Sequence, residues 1–439
     1  MLCALSRKRA CPILTSRHQS RRMMRKLITF CFFLLNICVA NADDTDSLQR
    51  WGVSAGVNPG RILCFGKYQK KWQKGKDNFS LDLGANYHPL PADSNAYDAD
   101  YGFPTVSARL KMSFNHRVTM HRDKDPDWGY AEEVDYNSHM GNSVALFGTF
   151  ERPLFRNKRF EAEMDISMGL AYANTIYNKE NNIDNELIGS HLLIYFGMGA
   201  HVTWMFTPKI GLKAGVDYWH VSTGALDRPN KGANVLGPSL ALVYVPSYQQ
   251  RIWGRGYRYN APFDKKVYLD MTIGVGAKTL YEEFERTQFQ TPKGEKDYRT
   301  EDFKLYMAYS TQTDLMYRYA RRWASGVGLD LFYGTYASRV AEIEEQKGVS
   351  AKHHPWSVGL AVKHQAFYRQ WSLAMAVGWY LHREMGSNAA FIEEKYYERI
   401  GLRYTFPGAL PISIGASVKA HSTIADFTEV NLTLPIRIK

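Results

Sequence analysis

The sequence predicts an all-β fold, an antiparallel transmembrane β-barrel of about sixteen strands. Three observations predict it. Segments of about ten residues alternate large apolar side chains with small or charged ones. The chain opens with a leader typical of exported proteins. After that leader, no stretch approaches the roughly 18 to 20 consecutive apolar residues that a membrane helix needs.

The leader is predicted to be a secretory signal peptide covering residues 1–42. A basic region precedes a short apolar core at residues 27–40, and an Ala-Asn-Ala cleavage site follows. The mature chain would then begin near Asp43. The long basic lead also suggests translation from Met23 or Met24. A lipoprotein anchored through Cys38 is the less favoured interpretation, because no small residue directly precedes that cysteine.

Removing the leader changes the charge and cysteine arguments. Residues 1–42 carry eight Lys or Arg and no acid, so the formal net charge falls from +12 to about +4. Nucleic acid is therefore not an expected partner. Four of the five cysteines lie in the leader, which leaves Cys64 alone and excludes an internal disulfide in the mature chain. We expect its thiol to pack as a small apolar group.

Alternation is clearest in residues 160–174, 267–278 and 371–382, where one parity is large and apolar and the other is small or charged. This pattern fits lipid outside the barrel and a polar lumen inside. The predicted strands lie near residues 51–62, 79–88, 104–117, 141–152, 159–174, 190–206, 209–222, 234–246, 266–279, 302–314, 322–336, 356–367, 370–382, 395–406, 409–421 and 426–438.

The connections between predicted strands alternate in length, as expected for short periplasmic turns and long external loops. Those after the second and eighth strands are longer than this rule predicts. The chain divides into two eight-strand halves, 43–246 with the candidate site and 247–439 as a possible degenerate repeat. We favour one sixteen-stranded barrel over two eight-stranded barrels.

The hairpin at residues 211–245 carries the candidate site. Its first arm alternates so that His220 and Ser222 share the apolar face, and the return arm places Asn234 on that face as well. Buried polar groups need partners, and a nucleophile, a base and an orienting amide would satisfy one another. His421, in the corresponding stretch of the second half, has the opposite parity and is expected to face the lumen.

The residues around this hairpin resemble a known family. His220-Val221-Ser222 at a strand end, with Asn58-Pro59-Gly60-Arg61-Ile62, Tyr101-Gly102-Phe103-Pro104 and Ile188-Gly189-Ser190-His191-Leu192, is similar to the PagL-type lipid A 3-O-deacylases, also called acyloxyacyl hydrolase-like proteins, in their long, Bacteroides-type form. The resemblance is strongest over residues 55–246. It implies an outer-membrane barrel with a serine-hydrolase site on its exterior, in which His220 is the base and Ser222 the nucleophile.

Two positions depart from the family pattern. Thr223 stands where the family has an Asn that helps bind the oxyanion, and Asn234 stands where the best-known members have Glu. The Thr223 hydroxyl and the backbone amides of Gly224 and Ala225 are the expected substitutes for the oxyanion donor. Asn234 can orient His220 but cannot stabilise an imidazolium by charge. These two departures leave open that the hydrolase activity is weak or has been lost.

Two functions from different classes follow. The first is an esterase acting on lipid A or a related outer-leaflet lipid, with no metal or cofactor. The second is a non-catalytic barrel that serves as a pore, receptor or structural protein, in which lumen-facing Arg399 and Arg403 would tune anion passage. The oligomeric state is left open. Glu342, Glu344 and Glu345 are expected to form a solvated loop, and His353-His354 to lie in a loop without an acidic partner.

Overall fold

A computed structural model describes residues 48–125, 132–253, 262–408, 410–422 and 424–438. The predicted signal peptide lies outside the described residues. The described chain contains sixteen long strands that form two closed barrels. The first barrel is built from β1 (Trp51–Ile62), β2 (Asp77–Tyr87), β3 (Thr105–Arg117), β4 (Ser143–Arg156), β5 (Phe160–Ala173), β6 (Leu192–Met205), β7 (Ile210–Ser222) and β8 (Ala233–Tyr244). The second is built from β9 (Lys266–Lys278), β10 (Tyr306–Arg318), β11 (Trp323–Gly334), β12 (His353–Tyr368), β13 (Trp371–Met385), β14 (Tyr396–Thr405), β15 (Ser413–His421) and β16 (Ile424–Arg437).

The all-β barrel class and the sixteen strands are confirmed, but the strands close as two barrels of eight in place of the single barrel that we favoured. In the first barrel β1 pairs with β8, with Val53 opposite Tyr244. In the second β9 pairs with β16, with Tyr268 opposite Arg437. Each closure satisfies the backbone groups of two strands that would otherwise be edges, so these strands have no need to pair with the other half.

The two faces of each strand differ as predicted. Outward side chains such as Leu170 and Val216 are more than half exposed, at 55% and 51%, which suits contact with lipid. The lumen is filled with charged groups. In the first barrel Lys213 lies 3.0 Å from Glu151 and also pairs with Glu163.

The second lumen is filled in the same way. Arg399 and Arg403 face inward, as predicted, and pair with Glu429 at 3.4 Å and Asp270 at 3.0 Å. An eight-stranded barrel has an interior just wide enough for its own side chains. The described strands therefore do not form the wide aqueous lumen of a sixteen-stranded barrel, on which the pore hypothesis depended.

The connections group at two rims. Among the described residues, the loop rim contains 63–76, 118–125, 132–142, 174–191, 223–232, 279–305, 335–352, 386–395 and 422. The turn rim contains 88–104, 157–159, 206–209, 245–253, 262–265, 319–322, 369–370, 406–408 and 410–412.

The described connections also contain five short α-helices. They are α1 (Lys67–Trp72), α2 (Ala96–Asp100), α3 (Tyr248–Trp253), α4 (Tyr281–Glu285) and α5 (Ala337–Gln346). Short 3-10 or π turns occur at Leu48–Arg50, Pro91–Asp93, Arg286–Gln290 and Asn388–Ile392. Thr119–Met120 pairs with Ser138–His139 at the loop rim.

The long connection after the second strand, which the loop-length rule did not explain, makes non-covalent contacts with the second barrel. It contains α2, and Asp98 of that helix accepts hydrogen bonds from Tyr368 at 2.8 Å and Arg369 at 2.6 Å in the second barrel. The neighbouring Asp100 pairs with Arg321 at 3.1 Å. This long connection therefore forms an inter-barrel contact. The long connection after the eighth strand leads from the first barrel to the second.

Two loop predictions are wrong. Glu342, Glu344 and Glu345 belong to helix α5, and Glu344 is buried. His353 begins β12, and its Nε2 lies 2.7 Å from Glu344 Oε2, so it does have an acidic partner. Among the described residues, no helix has the length and apolar character needed to cross a membrane.

Candidate active site

The β7–β8 hairpin has the register that places the predicted residues together. Asn234 is the cross-strand partner of His220, and Ile194 of β6 is the partner of Ser222. Leu212 and Val216 of β7 share the parity of His220 and Ser222 and are exposed on the outside of the barrel. Because side chains of one parity lie on one face, His220, Ser222 and Asn234 belong to the outer, apolar face at the loop rim.

The imidazole of His220 is held by an amide oxygen. His220 Nδ1 lies 2.8 Å from Asn234 Oδ1, which also accepts a 2.6 Å hydrogen bond from the Tyr218 hydroxyl. An amide oxygen can only accept, so Nδ1 carries the proton in this arrangement. The other ring nitrogen, Nε2, is then unprotonated and able to accept a proton.

Gly232 lies next to both His220 and Ser222. A Cβ on this glycine would lie 2.5 Å from His220 Cε1 and 3.2 Å from both His220 Nε2 and Ser222 Cβ. The Nε2 edge of the ring and the Ser222 side chain therefore flank the same point. Gly232 also has φ +70°, a conformation that favours glycine. Within the described residues, the Ser222 hydroxyl has no hydrogen-bond partner.

The Thr223 hydroxyl, which we expected as an oxyanion donor, is already engaged inside the loop. Its hydroxyl donates to the Asp227 carbonyl at 2.8 Å, and its N–H donates to Asn230 Oδ1 at 2.8 Å. The single hydroxyl proton is thus used inside the 223–232 loop. This geometry disagrees with an oxyanion role for the Thr223 side chain and gives it a role in shaping the loop.

Gly224 and Ala225 are the residues whose backbone amides we expected as oxyanion donors. Both residues are buried and have positive φ, +63° and +68°. Their carbonyls accept hydrogen bonds, whereas their N–H groups have no acceptor within the part of the chain that the structure describes. A buried N–H without a partner is uncommon because it loses the hydrogen bond that water would supply. These two amides can donate to a developing oxyanion.

The rest of the loop is partly desolvated. Burial raises the pKa of Asp227 above its ordinary range, although a hydrogen bond from the Arg228 N–H and the charge of the Arg228 guanidinium oppose this. Burial lowers the pKa of Arg228, whose Nη2 donates to the Thr279 carbonyl at 3.3 Å. A polar loop with little solvent around it lets each hydrogen bond act in a low local dielectric.

Two residues of the site were missed from sequence. Tyr218 has the same outward parity as His220, and its position two residues earlier was the available signal. Gly232 was assigned only to the turn, although a side chain at this position would contact both His220 and Ser222. His421 faces the second lumen, as predicted, where its Nε2 accepts from the Tyr380 hydroxyl at 2.7 Å.

The fold and the family matches indicate an outer-membrane β-barrel protein, and His220 and Ser222 lie on the outward parity of β7. Two family models match separate parts of the chain. A model described as lipid A 3-O-deacylase (PagL) matches residues 104–243, and one described as acyloxyacyl hydrolase, C-terminal domain, matches residues 267–438. Each match covers less than half of the chain. The first barrel is similar to the lipid A 3-O-deacylase model, and the second barrel is similar to the acyloxyacyl hydrolase C-terminal model.

The chain also matches several solved structures. The outer membrane enzyme PagL is 18% identical, covering 44% of this chain and 98% of its own, with a TM-score of 0.25. The N-terminal β-barrel domain of Pseudomonas aeruginosa OprF is 12% identical, covering 44% and 97%, with a TM-score of 0.23. Omp33 of Acinetobacter baumannii is 8% identical, covering 89% and 98%, with a TM-score of 0.14. A comparison with curated proteins gave no match.

Proposed function

We propose that this protein is an outer-membrane serine esterase that removes an ester-linked acyl chain from lipid A or a related outer-leaflet lipid. One observation carries the proposal. His220 Nδ1 is engaged by Asn234 at 2.8 Å, and His220 Nε2 and Ser222 flank Gly232 on the outward face of the barrel. The match to the lipid A 3-O-deacylase model, which covers all three functional residues, supports the substrate class.

The reaction begins with Ser222. His220 Nε2 takes the hydroxyl proton as Ser222 Oγ attacks the acyl carbonyl, and the negative charge develops on the former carbonyl oxygen. The N–H groups of Gly224 and Ala225 donate to that oxygen. His220 then gives the proton to the departing sugar oxygen, which leaves an acyl-serine. Asn234 keeps the imidazole in the required tautomer throughout.

The second half uses water. His220 Nε2 takes a proton from a water molecule, whose oxygen attacks the acyl-serine carbonyl, and the proton returns to Ser222 Oγ as the fatty acid is released. Every step uses side chains and amides of this chain, so the proposed reaction needs no metal or cofactor. The location at the loop rim, facing lipid, suits a substrate whose ester bonds lie just inside the outer leaflet.

The test is mass spectrometry of lipid A from cells that express the wild type, Ser222→Ala, His220→Ala or His191→Ala. His191 is a matched control, because it is an exposed loop-rim histidine whose Nδ1 lies 2.7 Å from the carbonyl of Ala173 on β5 and which the proposed reaction does not use. We expect the wild type and His191→Ala to lower the mass of lipid A by one acyl chain. Ser222→Ala and His220→Ala should leave it intact. The same acyl pattern in all four strains would contradict the proposal.

A further inference from the structure

The loop that follows Ser222 is held by the second barrel as well as the first. On its own barrel, the N–H groups of Lys231 and Gly232 donate to the carbonyls of Glu186 and Leu187 at 3.0 and 2.8 Å. These contacts fix the end of the loop next to His220. The beginning of the loop, at Gly224, is fixed differently.

The carbonyls of Gly224 and Ala225 both accept hydrogen bonds from the second barrel. The Thr428 hydroxyl donates to the Gly224 carbonyl at 2.7 Å. The Thr279 N–H and hydroxyl donate to the Ala225 carbonyl at 2.8 and 3.1 Å. Gly224 leaves no room for a side chain here, since an added Cβ would lie 2.6 Å from Thr428 Oγ1. The stretch formed by Gly224 and Ala225, whose N–H groups are the proposed oxyanion donors, is therefore in direct contact with the second barrel.

The two threonines are connected through the strand pair that closes the second barrel. Thr428 lies on β16, with an outward parity, and is the cross-strand partner of Ala277 on β9. Thr279 directly follows β9. Thr428 is therefore held by the hydrogen-bonded ladder that closes the second barrel, and Thr279 is the residue directly after one strand of that ladder.

A peptide unit that is fixed at its carbonyl is also fixed at its N–H. In a trans peptide the C=O and N–H bonds point in opposite directions within one plane. The Gly224 carbonyl shares its peptide unit with the Ala225 N–H. When Thr428 binds this carbonyl, the Ala225 N–H is directed away from the second barrel, and it has no acceptor among the described residues.

We propose that the second barrel is a positioning part of the active site, in which Thr428, assisted by Thr279, aims the Ala225 N–H at the oxyanion. The inference rests on the proposed function. It assigns the second barrel a task in the reaction that the first barrel's own contacts do not perform. Thr428 touches neither substrate nor reacting atoms, so it is a positioning residue.

The experiment compares Thr428→Val, Thr428→Ser and Thr335→Val with the wild type, using the full chain in detergent with purified lipid A. Thr335 is the matched control, because at the same rim its hydroxyl donates to the Met307 carbonyl at 2.9 Å within the second barrel. We expect Thr428→Val to lower kcat about tenfold or more while KM stays near the wild-type value. Removing an oxyanion donor outright costs roughly 10² to 10³ in rate. Thr428→Ser should restore kcat, and Thr335→Val should leave it unchanged.

A second measurement keeps the test decisive if Thr428→Val folds poorly. Thr279→Val retains the backbone hydrogen bond to Ala225 and loses only the hydroxyl bond, so we expect a smaller loss of kcat together with faster amide hydrogen exchange in residues 223–228. If Thr428→Val and Thr279→Val both keep the wild-type kcat, or if Thr335→Val loses as much kcat as Thr428→Val, the inference is overturned. The proposed esterase function would be unaffected by either result. Equal activity of wild type and Ser222→Ala would overturn the esterase and this inference together.

Discussion

His220 and Asn234 lie directly opposite each other on the β7–β8 ladder, with His220 Nδ1 2.8 Å from Asn234 Oδ1. A neutral amide sets the tautomer of the imidazole but adds no charge to stabilise the imidazolium that forms during proton transfer. The hairpin therefore orients the imidazole but lacks the negative charge with which the Asp of a Ser-His-Asp triad stabilises the imidazolium.

Asn234→Asp should raise kcat by about tenfold or more, because a carboxylate would both orient the imidazole and stabilise its charged form. The measurement is the rate of fatty-acid release from lipid A by the purified variant. Asn234→Leu, which removes the acceptor, should lower the rate. Tyr218→Phe is the control, since it removes the other hydrogen bond to Asn234 and leaves the imidazole contact intact. A lower rate in Asn234→Asp would contradict the orienting role assigned to Asn234.

Gly232→Ala should abolish most of the activity. The new Cβ would lie 2.5 Å from His220 Cε1 and 3.2 Å from Ser222 Cβ, so one of the two side chains must shift. A displacement of about 1 Å in a catalytic group costs roughly 10²-fold in rate. Gly348→Ala is the matched control, because Gly348 has φ +68° and an added Cβ there would meet nothing within 4 Å. Both variants should lose about 1–2 kcal/mol of stability from backbone strain, but only Gly232→Ala should lose activity.

The strand pattern and the site parity could be predicted from sequence because both depend on local alternation. Ile210 to Tyr218 defines one face, so the side on which His220 lies follows directly. The contact with Asn234 was also accessible, because the two residues are only 14 positions apart in one hairpin.

Barrel closure and the contact between the second barrel and the 223–232 loop could not be predicted in this way. The alternation in β8 is the same whether Tyr244 faces Val53 or a strand of the second half, because a strand pattern does not identify its partner. The hydrogen bond from Thr428 to Gly224 joins residues 204 positions apart. Such contacts depend on how two completed barrels meet, and local periodicity carries no information about that.

Both barrels should be electrically silent. The lumen of the second barrel is occupied by ion pairs such as Arg403–Asp270 at 3.0 Å and by the Lys363–Asp330 pair at 2.6 Å. Side chains fill a barrel of eight strands. In planar bilayers we therefore expect no steady single-channel conductance from the purified protein. Reproducible unitary currents would show that the lumen opens and would restore the pore hypothesis.

Lys363→Met should destabilise the second barrel by roughly 3–5 kcal/mol, because it leaves buried carboxylates without their counter-ion. Lys363 Nζ lies 2.6 Å from Asp330 and 3.2 Å from Asp314. The measurement is thermal unfolding in detergent, followed by circular dichroism. Lys352→Met is the control, since the exposed Lys352–Glu384 pair, at 3.1 Å, should contribute no more than about 1 kcal/mol. Equal unfolding temperatures for the two variants would contradict the assignment of a buried ion network.

Glu344→Gln should destabilise the loop rim at neutral pH and much less in acid. Burial alone would raise the pKa of Glu344, but the Ser387 hydroxyl and N–H, both at 2.7 Å, and His353 outweigh it and lower that pKa below its ordinary value. A carboxylate with a lowered pKa stabilises the folded state above its unfolded pKa, and that stabilisation is lost as the pH falls.

At pH 7 we therefore expect Glu344→Gln to lose about 1.5–3 kcal/mol, the contribution typical of hydrogen bonds to a charged group. As the pH falls below the unfolded glutamate pKa of about 4.3 and through the lower pKa of folded Glu344, the wild type loses this contribution, so the two unfolding curves should converge. Glu345→Gln, a change of the exposed neighbour on the same helix, is the control and should have little effect at either pH. A difference between wild type and Glu344→Gln that stays constant from about pH 7 to about pH 3.5 would show that the loss comes from packing and not from the ionised carboxylate.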